Sequence, residues 1–122
     1  MVRLLRQARV RGWRRHGNVI GKPDFVWESL KVALFVDGCF WHRCPRCFRM
    51  PKSRVEYWSA KIANNQRRDR RVSRLLNREG WSVIRVWECV VSEPRTLARI
   101  TRTLERRKQA LLKAAEQGRE LD

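Results

Sequence analysis

The sequence predicts an α/β domain with a central mixed sheet flanked by helices, and three observations carry that prediction. Residues 30–36, Leu-Lys-Val-Ala-Leu-Phe-Val, run almost continuously apolar, as a strand covered on both faces does. From Ser53 to Leu76, Trp58, Ile62, Val72 and Leu75 recur at helical spacing. The elements read in the order helix, strand, strand, helix, strand, helix, which suits helices layered on a mixed sheet.

Taken in order, residues 1 to about 11 form a short basic helix, with Leu4, Leu5 and Ala8 on one side and Gly12 to end it. Gly17 to Gly21 is a turn, and Pro23 biases Lys22 towards extended geometry. Phe25 to Trp27 and Leu30 to Val36 follow as strands, and Gly38 to Pro51 is irregular. Ser53 starts the long helix, with Glu56 three residues on to complete a capping box, and Gly80 closes it. Trp81 to Trp87 alternates Val83, Arg85 and Trp87 with Ile84 and Val86, a further strand. The last helix begins near Glu93 and places Leu97, Ile100, Leu104 and Leu111 on its apolar face. A polar, loose tail is expected after Glu116, so the core spans about residues 12–115 of one domain covering 1–122.

Lys and Arg number 29 against 12 Asp and Glu, a net charge of +17. Such an excess points to a polyanionic partner, because each neutralised phosphate releases condensed counterions. Nucleic acid is the first reading, since the basic residues lie among aromatics and no lipid anchor is visible. Solvated charge and an acidic membrane surface are the alternatives. No stretch approaches the roughly 20 apolar residues of a membrane span. Nor does an apolar run follow the N-terminal charges as in a signal peptide. A cytoplasmic, reducing location is expected, where four cysteines serve as metal ligands more often than as disulfides.

Cys39, Cys44 and Cys47 lie within nine residues, and Cys89 stands just beyond the last strand. Four thiolates match tetrahedral zinc, and a closed all-cysteine shell leaves no open position for catalysis. Zn2+ here is expected to be structural, tying the irregular segment to the distant strand. Buried free thiols or a redox pair is the competing account of the same residues.

Asp24 opens one strand, Val36 and Asp37 end the next, and His42 follows. If the two strands are antiparallel neighbours, Asp24 lies near the end of the second. An ion held by its carboxylate and the Val36 carbonyl then faces incoming phosphate, and one carboxylate with one carbonyl suffices for Mg2+. His42 is a candidate general base or acid, a role to which histidine as a residue type is suited. Spacing alone leaves another account open, with Asp24 a turn residue and His42 a packing side chain.

Gly21-Lys22-Pro23-Asp24-Phe25-Val26 resembles the Gly-(Arg/Lys)-Pro-Asp-hydrophobic-Val segment of the very-short-patch-repair, or Vsr, mismatch endonucleases. Phe35-Val36-Asp37-Gly38-Cys39-Phe40-Trp41-His42 is similar to that family's hallmark run. The likeness continues through Pro51-Lys52, Glu56-Tyr57-Trp58, Lys61-Ile62, Asn65 and Arg68-Asp69-Arg70-Arg71, and ends with Gly80-Trp81 and Val86-Trp87-Glu88-Cys89. It covers about residues 12–90.

This resemblance implies a restriction-endonuclease-like three-layer fold, related to the PD-(D/E)XK nucleases. The implied activity is nicking of one strand of duplex DNA beside a T:G mismatch left by deaminated 5-methylcytosine. By the same likeness Asp24 is the metal-binding aspartate, Val36 the main-chain Mg2+ ligand, His42 the catalytic histidine and Asp37 a second active-site group. Lys22, Asn65 and Asp69 are polar residues facing DNA beside the site, and Cys39, Cys44, Cys47 and Cys89 hold structural zinc. Phe40 and Trp41 match aromatics that wedge into the base stack, where a mismatched step costs less to unstack. Trp81 and Trp87 are expected in the core. A monomer acting on double-stranded DNA in the cytoplasm, at the nucleoid, completes the expectation.

Members of that family usually carry more chain before the first helix, including a basic segment that grips DNA and a glutamate that approaches the active site. Counted back from Gly12, the glutamate falls at about Met1, and no acidic residue precedes Asp24. A minimal variant, a truncated reading and a nuclease of reduced activity are the three accounts this leaves, beside a DNA-binding module without cleavage and a nicking nuclease with another DNA target.

Overall fold

The computed structural model describes the backbone of residues 1–121, with side chains through position 118. Its elements are α1 (Val2–Gln7), β1 (Arg14–Arg15), β2 (Phe25–Trp27), β3 (Val32–Asp37), α2 (Val55–Arg78), β4 (Ser82–Trp87) and α3 (Pro94–Leu121). The sheet order is β1-β2-β3-β4, antiparallel between β1, β2 and β3 and parallel between β3 and β4. A mixed sheet is what the sequence predicts, and β2 and β3 meet the condition set for the site by pairing antiparallel.

Alternation along the strands builds three layers. Phe25, Trp27, Val32, Leu34, Ile84 and Val86 point to one face and pack with Leu5 of α1 and Ile100 and Leu104 of α3. Val26, Ala33 and Phe35 point to the other face, against Val72 and Leu76 of α2. Trp27 is fully enclosed, and its indole N–H donates to the Arg11 carbonyl at 3.0 Å, so the buried polar atom is satisfied.

Several boundaries differ from expectation. α1 stops at Gln7, well before Gly12. β1 is two exposed arginines, too short and too polar to show alternation. β3 starts at Val32 because Glu28–Leu30 coil into a 3-10 turn ended by left-handed Lys31, φ 53°. The Ser53–Glu56 capping box does not form: α2 starts at Val55 after left-handed Arg54, φ 55°, with no side-chain cap. Glu56 still sits in the first turn, where a negative charge suits the helix dipole. α3 continues to Leu121 where a loose tail was expected after Glu116, since Lys108 to Gln117 are strong helix formers. Asp122 lies outside the described residues. Among the described residues, no helix is long and apolar enough to cross a membrane.

The turn before Asp24 is held by close packing. Gly21 has φ +83°, and a Cβ there would stand 2.4 Å from a Val72 methyl. Lys22 is left-handed rather than extended, φ 52°, because its N–H closes the turn on the Val19 carbonyl at 3.0 Å. That geometry delivers Asp24 to the start of β2 beneath α2.

Candidate active site and metal centre

Asp24 precedes β2, and its Oδ2 accepts a hydrogen bond from the Val36 N–H at 2.7 Å. The carboxylate is therefore pinned to the end of the neighbouring strand. Gly21, Lys22, Asp24, Val36, Asp37, His42 and Asp69 line one cleft of about 490 Å³ under α2. Of the residues expected to act in chemistry, Asp24, Val36, Asp37 and His42 thus share one cavity, with Lys22 at its wall.

His42 is reached by the turn after β3, whose His42 N–H donates to the Gly38 carbonyl at 3.2 Å. Its Nδ1 pairs with Oδ2 of Asp69, a residue 27 positions away on α2. Both side chains are largely shielded from solvent. The bond fixes the ring and leaves Nε2 for proton exchange. Asp69, expected to face DNA beside the site, is bonded to the histidine. Asn65 Nδ2 donates to the Trp41 carbonyl at 3.3 Å and so braces the aromatic turn, instead of standing free.

Arg85 on β4 was missed by the sequence reading. Its guanidinium donates to Asp37 Oδ1 at 3.0 Å, to Ser73 Oγ at 2.9 Å and to the Asp69 carbonyl at 3.3 Å. It lies 3.8 Å from Asp69 Oδ1 and stacks 4.1 Å from the Phe35 ring centre. This fork holds two carboxylates side by side without net repulsion. Burial pushes the Asp37 carboxyl above its ordinary value, against the downward pull of Arg85 and His42. Only its place in the alternation of the last strand marked Arg85, and that says nothing of partners on other elements.

Polar atoms of Asp37, His42 and Asp69 all lie within 4.8 Å of one another. Asp37 and Asp69 are already matched by Arg85 and His42, whereas among the described residues the Asp24 carboxylate meets only a backbone N–H. Asp24 is therefore the carboxylate with charge to spare for a hard cation. A carboxylate oxygen is the kind of donor magnesium takes.

The Sγ atoms of Cys39, Cys44, Cys47 and Cys89 also lie within 4.8 Å of one another, with Cys44 and Cys89 3.8 Å apart. A tetrahedron with Zn–S bonds of about 2.3 Å has edges of about 3.8 Å, so the spacing fits zinc. No disulfide joins the four, and of the competing account only Cys44 is a buried free thiol, since Cys47 and Cys89 are exposed. Burial alone would raise the Cys44 thiol, but N–H groups of Cys47 and Arg46 aimed at its sulfur bring it below its ordinary value. A sulfur so placed is prepared to be a thiolate.

Beside the cysteines, Phe40 stacks on Phe48 at 5.9 Å and meets Trp41 and Trp58 edge-on at 5.2 and 5.4 Å. Trp41 remains 44% exposed, with the Lys61 ammonium 5.9 Å from its ring centre. Trp81 packs at the margin of the α2-side core, and Trp87 is half-buried at the rim of the cleft holding His42.

The profile of the family described as DNA mismatch endonuclease Vsr matches residues 2–47. A type II nicking enzyme of Neisseria meningitidis serogroup C, V.NmeDIP, is 41% identical over 105 residues, 82% of this chain and 70% of the relative. The type II nicking enzyme V.NaeI of Lentzea aerocolonigenes is 52% identical over 67 residues, 55% of this chain and 40% of the relative. The DNA mismatch endonuclease Vsr of Escherichia coli (strain K12) is 44% identical over 73 residues, 58% of this chain and 46% of the relative. A mixed α/β sheet, the clustered carboxylates and histidine, and these likenesses agree. The chain belongs to the Vsr endonuclease family. It spans about half the length of several of the curated relatives it matches.

Proposed function

We propose that this chain nicks one strand of duplex DNA by metal-assisted hydrolysis of a phosphodiester, acting as a monomer with T:G mismatches as its preferred sites. The observation that carries the reading is the cleft shared by Asp24 and the His42–Asp69 pair. A histidine fixed by a carboxylate and a separate carboxylate free to hold a cation are the two functions phosphodiester hydrolysis needs in one place.

Asp24 and the main-chain carbonyl of Val36 would hold the magnesium ion. When bound, the ion polarises the scissile phosphoryl oxygen and offsets charge on the leaving oxygen. His42 exchanges a proton at Nε2 with the attacking water or the departing oxygen, while Asp69 keeps the ring oriented through Nδ1. Asp37 and Arg85 keep the floor of the cleft charged but balanced, and Lys22 faces a phosphate at its wall. Zinc on the four cysteines staples the loop that carries Phe40, Trp41 and His42 to the end of β4. Trp41, exposed and braced by Asn65, is placed to wedge a weakened base step beside the mismatch.

The test is cleavage of end-labelled duplexes that are matched or carry one T:G pair, and of single strands, each with magnesium or with a chelator. A single nick in the mismatched duplex, only with magnesium, is expected. Equal nicking of matched sites would move the substrate to unmismatched DNA. Tight binding with no product at any magnesium concentration would leave a recognition module in place of an enzyme.

A further inference from the structure

We propose that the outer face of α3 is a second phosphate-binding surface, which takes duplex DNA backbone alongside the edge strand β4. Arg95, Arg99, Arg102, Arg106 and Lys113 recur at helical spacing and fall on one narrow stripe of α3. All five are exposed. The stripe runs over 19 residues, from Arg95 to Lys113, and about 27 Å, enough to face up to roughly eight phosphates of one strand.

Like charges three and four residues apart disfavour a helix, so the stripe needs anions to be neutral in energy. The chain does not supply them. Glu93 answers Arg46 at 3.1 Å and Arg95 at 2.7 Å. Among the described residues, Arg99, Arg102, Arg106 and Lys113 enter no ion pair. Glu105 is engaged with Gln109 at 3.2 Å, on a different side of the helix.

Shape agrees with charge. One cleft of about 450 Å³ lies between α3 and the cysteine loop, with Arg46, Arg95, Arg99 and Arg102 in its wall. A second, of about 490 Å³, lies between α3 and β4 and shares Arg99 with the first. Arg85 borders both the first of these and the cleft shared by Asp24 and His42. The surface therefore continues the catalytic cleft around the edge of the sheet. That the polyanion is DNA rests on the function proposed above; the stripe itself does not.

The experiment compares wild type with Arg102→Gln/Arg106→Gln/Lys113→Gln, in which glutamine keeps helix propensity and removes charge. Affinity for a long matched duplex, and for one trimmed to cover only the catalytic cleft, is measured across a series of salt concentrations. On the long duplex the slope of log affinity against log salt should become shallower by about two to three, near 0.9 for each lost contact. On the short duplex both proteins should share one slope and one nicking rate. An unchanged slope on the long duplex overturns the proposal. So does a variant that loses binding only to vesicles of anionic lipid, which would make the stripe a membrane surface. If wild type nicks nothing yet the slopes differ as stated, the nuclease reading falls and the stripe stands.

Discussion

The imidazole of His42 and the carboxylate of Asp69, 27 residues apart, are bonded through Nδ1 and Oδ2 in a site largely shielded from solvent. The pair joins the loop after β3 to the middle of α2, and it makes the histidine's orientation a property of the helix. Asp69→Asn keeps the shape but removes the carboxylate that holds the ring through Nδ1 and leaves Nε2 free. Single-turnover nicking should fall by about 100-fold or more, while DNA affinity by fluorescence anisotropy changes by less than about threefold. Equal losses in rate and affinity would make Asp69 a binding residue instead.

Arg85 makes a prediction in stability. Arg85→Met leaves Asp37 and Asp69 side by side without their shared cation, at a site where the arginine is only 22% exposed. Urea unfolding should show a loss of about 2–4 kcal/mol. Asp37→Asn added to Arg85→Met removes one stranded charge and should recover part of that loss, giving a favourable coupling in a double-mutant cycle. Additive losses would mean that the two side chains do not depend on each other.

The four-cysteine centre predicts one zinc per chain by elemental analysis, and Cys89→Ser should lose the metal and lower Tm by several degrees. Its pH dependence has a definite sign. Burial pushes the Cys39 thiol above its ordinary value of 9.0 in the metal-free chain. A raised thiol contributes stability below pH 9 that is lost as pH rises through the folded value, so the metal-free chain weakens in alkali. Zinc binding requires thiolates and releases protons, so the loaded chain weakens as pH falls. Thermal melts with and without zinc between pH 6 and 10 should therefore diverge in opposite directions; parallel curves would exclude thiolate ligation.

Much of this was legible in the chain, for reasons that particular residues make plain. The apolar run ending at Val36 and the short run after Asp24 identify two buried strands, and their antiparallel pairing brings Asp24 to Val36. Cysteine spacing located the second cluster, because all four sulfurs had to serve one purpose. Contacts set by tertiary packing were not legible. The family likeness sets Asp69 beside the site, but its bond to His42 follows only once α2 is laid over the sheet. Arg85 reads as an ordinary alternating position of a strand, and only the parallel pairing of β3 with β4, Phe35 opposite Arg85, sets it beside Asp37. β1 consists of two arginines whose pairing with Phe25 and Val26 leaves no trace in hydrophobic period. Lys22 went the other way from local preference, since closing the turn on Val19 outweighs the bias from Pro23.

Asp24→Asn in the magnesium-dependent nicking assay addresses the cleft chemistry most directly. The asparagine carbonyl can still accept the Val36 N–H, so stability should stay within about 1 kcal/mol of wild type and zinc content should be unchanged. Nicking of the T:G duplex should fall below detection while the variant still binds that duplex. A folded, zinc-loaded variant that nicks at the wild-type rate would contradict the assignment of Asp24 as the metal-holding carboxylate.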